Sequence, residues 1–157
     1  MYVYSSLKVG DLLYRVKGIV EHAGVYLGAG RVLHIRPGGP AVAVPFSDYS
    51  EGKSVSVRRL PLPARVKEGF EKRLAEVIQN SASYRLFSNN CEHVAYYLTV
   101  GERISPQLQA ALGIGLAGGL LLSQGKLSNF MVAAGVAGVG ALLLSNANRQ
   151  CEFVIEA

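Results

Sequence analysis

The cysteines and histidines of this sequence are few enough to weigh one by one: Cys91, Cys151, His22, His34 and His93. A thiol attacks an acyl carbon as its thiolate, so a cysteine nucleophile needs a helix N-terminus or a neighbouring imidazole to ease the loss of its proton. Cys91 follows Ser88-Asn89-Asn90, residues of the kind that cap helices. It opens a run to about Leu98 that reads as helix, with Gly101 closing it. The unpaired N–H groups of that first turn would face the sulfur, lower its pKa, and receive the oxyanion formed on attack. Nucleophile and oxyanion site thus fall on the same few residues.

The base must come from elsewhere. His93 is two residues from Cys91 and so points away from it on a helix. His22 opens the stretch His22-Ala-Gly-Val-Tyr-Leu-Gly28, and His34 lies within Arg31-Val-Leu-His-Ile-Arg36. If these form a hairpin around Gly28-Ala29-Gly30, residue 22 comes near residue 34 or 36 across it. His22 would then deprotonate Cys91. His34 would bond the far ring nitrogen of His22 and fix its tautomer, a part that Asp or Asn takes in other triads. Blander readings compete, because a cysteine behind polar residues is also what a buried small hydrophobe looks like, and strand histidines are often satisfied core residues. A metal site on His22, His34 and His93 lacks a short-spaced anchoring pair. Two cysteines provide neither a disulfide framework nor a structural zinc site. No metal or organic cofactor is expected.

Short extended segments must position these groups. Asp11 to Val16, His22 to Leu27, Arg31 to Arg36 and Ala41 to Phe46 are rich in Val, Leu, Ile and Tyr, with breaks at Gly18, Gly28/Gly30 and Pro37-Gly38-Gly39-Pro40. Ser54 to Leu60 alternates as a half-buried strand does and ends at Pro61-Leu-Pro63. This pattern predicts a meandering antiparallel sheet. From Ala64 to Gln79, Val66, Phe70, Leu74, Val77 and Ile78 recur at helical spacing, with Lys67/Glu71 and Glu68/Lys72 paired four apart, which predicts one amphipathic surface helix.

Charged residues make up 17% of the chain and apolar residues 50%, with 18 glycines, so the surface is poorer in charge than an ordinary soluble protein needs. The formal charge of +5 favours an anionic partner, either nucleic acid or the acidic face of a bilayer. No run of five Lys/Arg occurs, and Arg58, Arg59, Arg65, Lys67, Lys72 and Arg73 are interleaved with acids; a lipid surface is the better partner and nucleic acid is not expected. Met1 to Leu7 lacks a positive n-region and a long apolar h-region, so no secretory signal is read there and a reducing compartment is expected. Ile104 to Gly125 and Leu127 to Asn148 contain no Lys, Arg, Asp, Glu or His. Their small residues at Gly115/Gly119 and Ala134/Gly138 predict two closely packed helices in or on a bilayer, the alternative being a soluble hairpin packed on the domain or on copies of itself.

Ser88-Asn-Asn-Cys-Glu-His-Val-Ala95, with Gly101 and Ile104-Ser-Pro-Gln107 after it, resembles the Asn-Cys-Glu-His-Phe signature of the lecithin:retinol acyltransferase family. Gly10-Asp11-Leu12, His22 to Gly28 and Val32-Leu-His34 resemble the family's first strands in order and spacing, so the likeness spans about residues 5 to 107. The resemblance implies an α+β fold of the circularly permuted papain-like (NlpC/P60-type) kind, an antiparallel sheet with helices, here followed by a C-terminal apolar helical hairpin. The expected divisions are a catalytic domain over 1–107, the hairpin over 108–148 and a short tail over 149–157. The resemblance also implies that Cys91 is nucleophile, His22 base and His34 third polar residue of a thiol phospholipase/acyltransferase. Such an enzyme moves an acyl chain from a glycerophospholipid, through a thioester, to water or another acceptor. Two departures stand out: Val94 replaces the signature's Phe, and the tail carries two apolar segments instead of one. A peptidase or amidase like the NlpC/P60 proteins, and a non-enzymatic membrane-remodelling protein, are the competing functions. The expected setting is a phospholipid membrane with the catalytic domain on its cytoplasmic side, and self-association through the glycine-rich helices is a further expectation.

Overall fold

The computed structural model describes residues 5–18, 20–36, 39–61, 64–79 and 90–156. Sequence readings that fall on 1–4, 37–38, 62–63 and 80–89, Ser88 and Asn89 among them, lie outside the described residues. The chain forms two compact units, one of Met1–Lys17, Glu21–Ile104 and Gln150–Ala157, the other of Gly18–Val20 and Ser105–Arg149.

The first unit is α+β. Strands β1 (Leu12–Lys17), β2 (Val20–Gly28), β3 (Arg31–Ile35), β4 (Ala41–Pro45), β5 (Val55–Arg58) and β6 (Phe153–Ile155) form one sheet in the order β4-β3-β2-β1-β5-β6, and its described pairings are antiparallel. Adjacent residues of β1 enter different cores. Leu12 and Tyr14 join Val25, Leu33, Ile35, Val94 and Leu98, whereas Leu13 joins Tyr26, Val32, Tyr49, Val55 and Val57. Both faces of the sheet are covered, which is why Leu12-Leu13-Tyr14 reads as a continuous apolar run. On β5, Val55 and Val57 are buried on one face, as their alternation predicts.

Helices α1 (Phe46–Ser50), α2 (Ala64–Glu68), α3 (Phe70–Gln79) and α4 (Cys91–Val100) complete this unit. Three features differ from expectation. Phe46, expected to end a strand, opens α1 instead, with Pro45, the last residue of β4, standing at the N-cap position. The helix expected over Ala64–Gln79 is broken at Gly69, where the missing side chain leaves room for the Arg73 guanidinium. That group donates to Val66 O at 2.6 Å and, through Nε, to Leu98 O at 3.0 Å. The segment expected as a short tail supplies edge strand β6, in register Val55↔Ile155, Ser56↔Val154 and Val57↔Phe153.

The second unit is the helical pair α5 (Pro106–Leu122) and α6 (Leu127–Ala147). Ser105 caps α5 by accepting the Leu108 N–H at 3.3 Å, with Pro106 in the first turn. The small residues singled out in the sequence line the seam between the helices: a Cβ on Gly115 would lie 3.0 Å from Ala134 O, and one on Gly119 2.7 Å from the Phe130 ring. Helix α6 is long and apolar enough to cross a membrane.

Candidate active site

Strands β2 and β3 carry the two histidines. Their register sets Val25 against Leu33 and Tyr26 against Val32, and continued by one residue it sets Gly24 against His34. His22 therefore meets His34 diagonally, across a position with no side chain of its own. The His22 Nε2 and His34 Nδ1 atoms lie 2.7 Å apart, with the rings edge to face and both residues buried. Burial lowers the His22 pKa to about 3, helped by His34 and by Arg15, Lys17 and Arg36. Burial likewise lowers His34 to about 4, helped by Arg36 and Arg15 against an opposing pull from Glu51. Both imidazoles are neutral at ordinary pH. His34 Nε2 is buried without a hydrogen-bond partner among the described residues.

Cys91 is the first residue of α4. Asn90 caps the helix: its side-chain oxygen accepts the N–H groups of Glu92 at 3.0 Å and His93 at 2.9 Å, while its own N–H donates to His93 Nδ1 at 3.5 Å. Gly101, in the left-handed region at φ 86, ends the helix. His93 is thus engaged in capping. The Cys91 sulfur faces the backbone N–H groups of Ala23, Glu92 and Cys91 itself, so the thiol stands beside the residue that follows His22. The direction of its pKa differs from the sequence expectation. Burial pushes the thiol up, the Glu92 carboxylate adds to this, and the three N–H groups offset only part of it. The resting pair is a neutral thiol near a neutral imidazole. Among the described residues no three His, Cys, Asp or Glu side chains gather as a metal site would require.

No family model matches the chain. Its relatives include phospholipase A and acyltransferase 1 of Rattus norvegicus, 30% identical over 132 residues that cover 68% of this chain and 77% of that protein. The chain belongs to the lecithin:retinol acyltransferase-like family. Other members are phospholipase A and acyltransferase 2 of Homo sapiens, 26% identical over 73% of this chain and 84% of that protein, and lecithin retinol acyltransferase of Homo sapiens, 28% identical over 68% of this chain. The match spans 60% of the length of the latter.

In this member of the lecithin:retinol acyltransferase-like family, two residues packed around the histidines escaped the sequence reading. Tyr49 of α1 is fully buried, stacked on His22 with ring centroids 5.7 Å apart and edge-on to His34 at 5.6 Å. Its hydroxyl donates toward Leu13 O at 2.8 Å and His22 O at 2.7 Å, fixing the backbone of the base itself. Burial and the nearby Cys91 push that hydroxyl well above the usual phenol range. Arg15 of β1 lies buried over the Tyr49 ring at 5.6 Å, paired with Glu51 at 2.6 Å. The Gly24-x-Tyr26 spacing was the one available signal: a glycine opposite a histidine marks a place where another group must enter, and here it is the Tyr49 ring.

Proposed function

We propose that this protein is a thiol-dependent phospholipase and acyltransferase in which Cys91 is nucleophile, His22 the base and His34 its orienting partner. The observation that carries the reading is the buried 2.7 Å His22–His34 contact on β2 and β3, next to a cysteine that begins α4 under three backbone N–H groups. The names of the relatives support the reaction class. In the competent tautomer, His22 Nδ1 is bare toward the thiol and His22 Nε2–H donates to His34 Nδ1. As the sulfur attacks the ester carbonyl of a glycerophospholipid, His22 takes the thiol proton. The oxyanion would be held by the backbone N–H of Cys91 at the start of α4, because those of Glu92 and His93 are taken by the Asn90 cap. Collapse expels the lysophospholipid alcohol, protonated by His22, and leaves a Cys91 thioester. Water or another acceptor, deprotonated by His22, then releases the acyl chain. With its pKa raised, the resting thiol keeps its proton until His22 takes it.

Histidines on strands that precede a helix opened by the cysteine fit a circularly permuted papain-like arrangement. We read residues 1–107, completed by β6, as the catalytic part and 108–148 as a membrane hairpin, with the catalytic part on the cytoplasmic side. Intact-mass spectrometry after exposure to phosphatidylcholine vesicles tests the chemistry. The expected result is an acyl adduct that Cys91→Ala lacks while keeping a native circular-dichroism spectrum. An equal adduct on the variant would refute the assignment of Cys91.

A further inference from the structure

We infer that the α5–α6 hairpin crosses the bilayer twice, so that β5 and α4 before it and β6 after it share one membrane face and the turn around Gln124 reaches the other. This rests on the membrane reading above and adds a topology to it. The deciding observation is β6. Beyond its pairing with β5, Glu152 N–H donates to Val57 O at 2.7 Å, Arg59 Nη1 bonds Glu152 Oε1 at 2.9 Å, and Ser54 Oγ bonds Glu156 Oε2 at 2.8 Å. A strand hydrogen-bonded into a water-soluble sheet cannot lie across a hydrocarbon layer from it. The chain that leaves that sheet after Ile104 must therefore return to the same side by Gln150, which permits zero or two crossings and forbids one.

Zero crossings would lay the hairpin along the interface. Interfacial helices need a charged face, and neither helix has one: α5 exposes Leu116, Leu120 and Leu121, and α6 exposes Leu127, Val132 and Val136. Length supports crossing. The 21 residues of α6 extend about 31 Å and the 17 of α5 about 25 Å, against a hydrocarbon layer of about 30 Å. The shortfall of α5 is within what tilt and local thinning absorb. The turn between them carries exposed Gln124 and Lys126, and an ammonium held at the bilayer centre is costly, so the turn is placed best in water beyond the far headgroups.

The test uses the full chain, inserted into preformed, detergent-saturated phosphatidylcholine–phosphatidylglycerol liposomes so that the sheet unit stays outside. Three single-thiol proteins are treated with a membrane-impermeant maleimide: Cys91→Ala, which retains exposed Cys151; Cys91→Ala/Cys151→Ser/Lys53→Cys on the sheet unit; and Cys91→Ala/Cys151→Ser/Gln124→Cys in the turn. Cys151 and the residue-53 thiol should label from outside to the same extent, and the residue-124 thiol only after detergent. Outside labelling of the residue-124 thiol, or protection of Cys151 while position 53 labels, would overturn the two-crossing topology and leave membrane binding intact. Failure of all three proteins to float with the liposomes would instead overturn membrane binding, and the topology with it.

Discussion

His22 and His34 sit side by side, and among the described residues no carboxylate is in hydrogen-bond contact with either; their chemistry follows from that. In the unfolded chain both would titrate near 6.5, whereas the fold holds them at about 3 and about 4. Above pH 6.5 neither state binds the extra protons and the fold keeps its full stability. Below it the unfolded chain takes up protons that the fold refuses. Stability should therefore fall as pH drops from 6.5 toward 4.5, by up to about 2.7 kcal/mol per pH unit while both histidines titrate only in the unfolded state. Urea denaturation at pH 7.5, 6.0 and 5.0 measures it, and a midpoint that stays constant would contradict the buried neutral pair. The same pair sets an order of catalytic loss. His22→Ala should lower kcat/KM on a soluble ester by about 10²–10⁴-fold, because it removes the base. His34→Ala should cost about ten- to a hundred-fold, the effect of leaving His22 Nε2–H buried without an acceptor. His93→Ala should change kcat/KM less than either, since His93 serves the helix cap. The reverse order in folded variants would reassign the base.

At the scale of elements, the hairpin β2–β3 and helix α4 were legible because their signals are local: glycine turns, β-branched runs, and a polar cap before an apolar helix. Helix α1 and strand β6 were not. One is five residues and the other three, too short for a period to declare itself, and β6 exists because β5, nearly a hundred residues earlier, offers it an edge. Arg15 was illegible for a related reason, since a charged residue in a strand reads as outward-facing until a Tyr and a Glu are found beside it. The thiol pKa was misjudged because a helix N-terminus is visible in sequence and desolvation is not. The dependence of β2 on α1 can be measured. A Cβ on Gly24 would lie 2.7 Å from Tyr49 Cε2 and 2.8 Å from Val32 Cγ1, in a core with no room to yield. Gly24→Ala should destabilise the fold by about 1–3 kcal/mol. Tyr49→Phe keeps the ring and removes the one O–H shared by the Leu13 and His22 carbonyls, for a similar loss of about 1–3 kcal/mol, and should also depress kcat by loosening His22. Thermal denaturation and soluble-ester kinetics read both effects. Unchanged stability in the two variants would mean that α1 does not brace the histidine strand.

For the whole molecule, the return of the chain to its own sheet means that the hairpin is an insertion between α4 and β6 and not an appendage after a finished domain. Removing everything from residue 108 onward therefore deletes two things: the apolar helices and the strand that covers β5. Ile155 is buried against Val55 and Val57, so its loss alone should cost about 2–5 kcal/mol, and the Arg59–Glu152 contact disappears with it. Replacing residues 105–149 with a flexible Gly/Ser linker, on the order of fifteen residues long, preserves β6 and removes only the apolar helices. The excised protein should stay soluble without vesicles, melt close to the full chain's temperature, and hydrolyse a soluble short-chain ester at close to the full chain's rate. Its activity on phospholipid vesicles should fall far more, and added salt should widen the gap by screening the attraction that net positive charge retains. The protein cut after 107 should melt lower than either. If the linker protein loses soluble-ester activity together with its fold, the hairpin contributes to the core of the sheet unit and its apolar surface is not there for lipid. If instead the two shortened proteins melt alike, β6 does not stabilise the sheet edge, and residues 150–156 are not held to one membrane face by it.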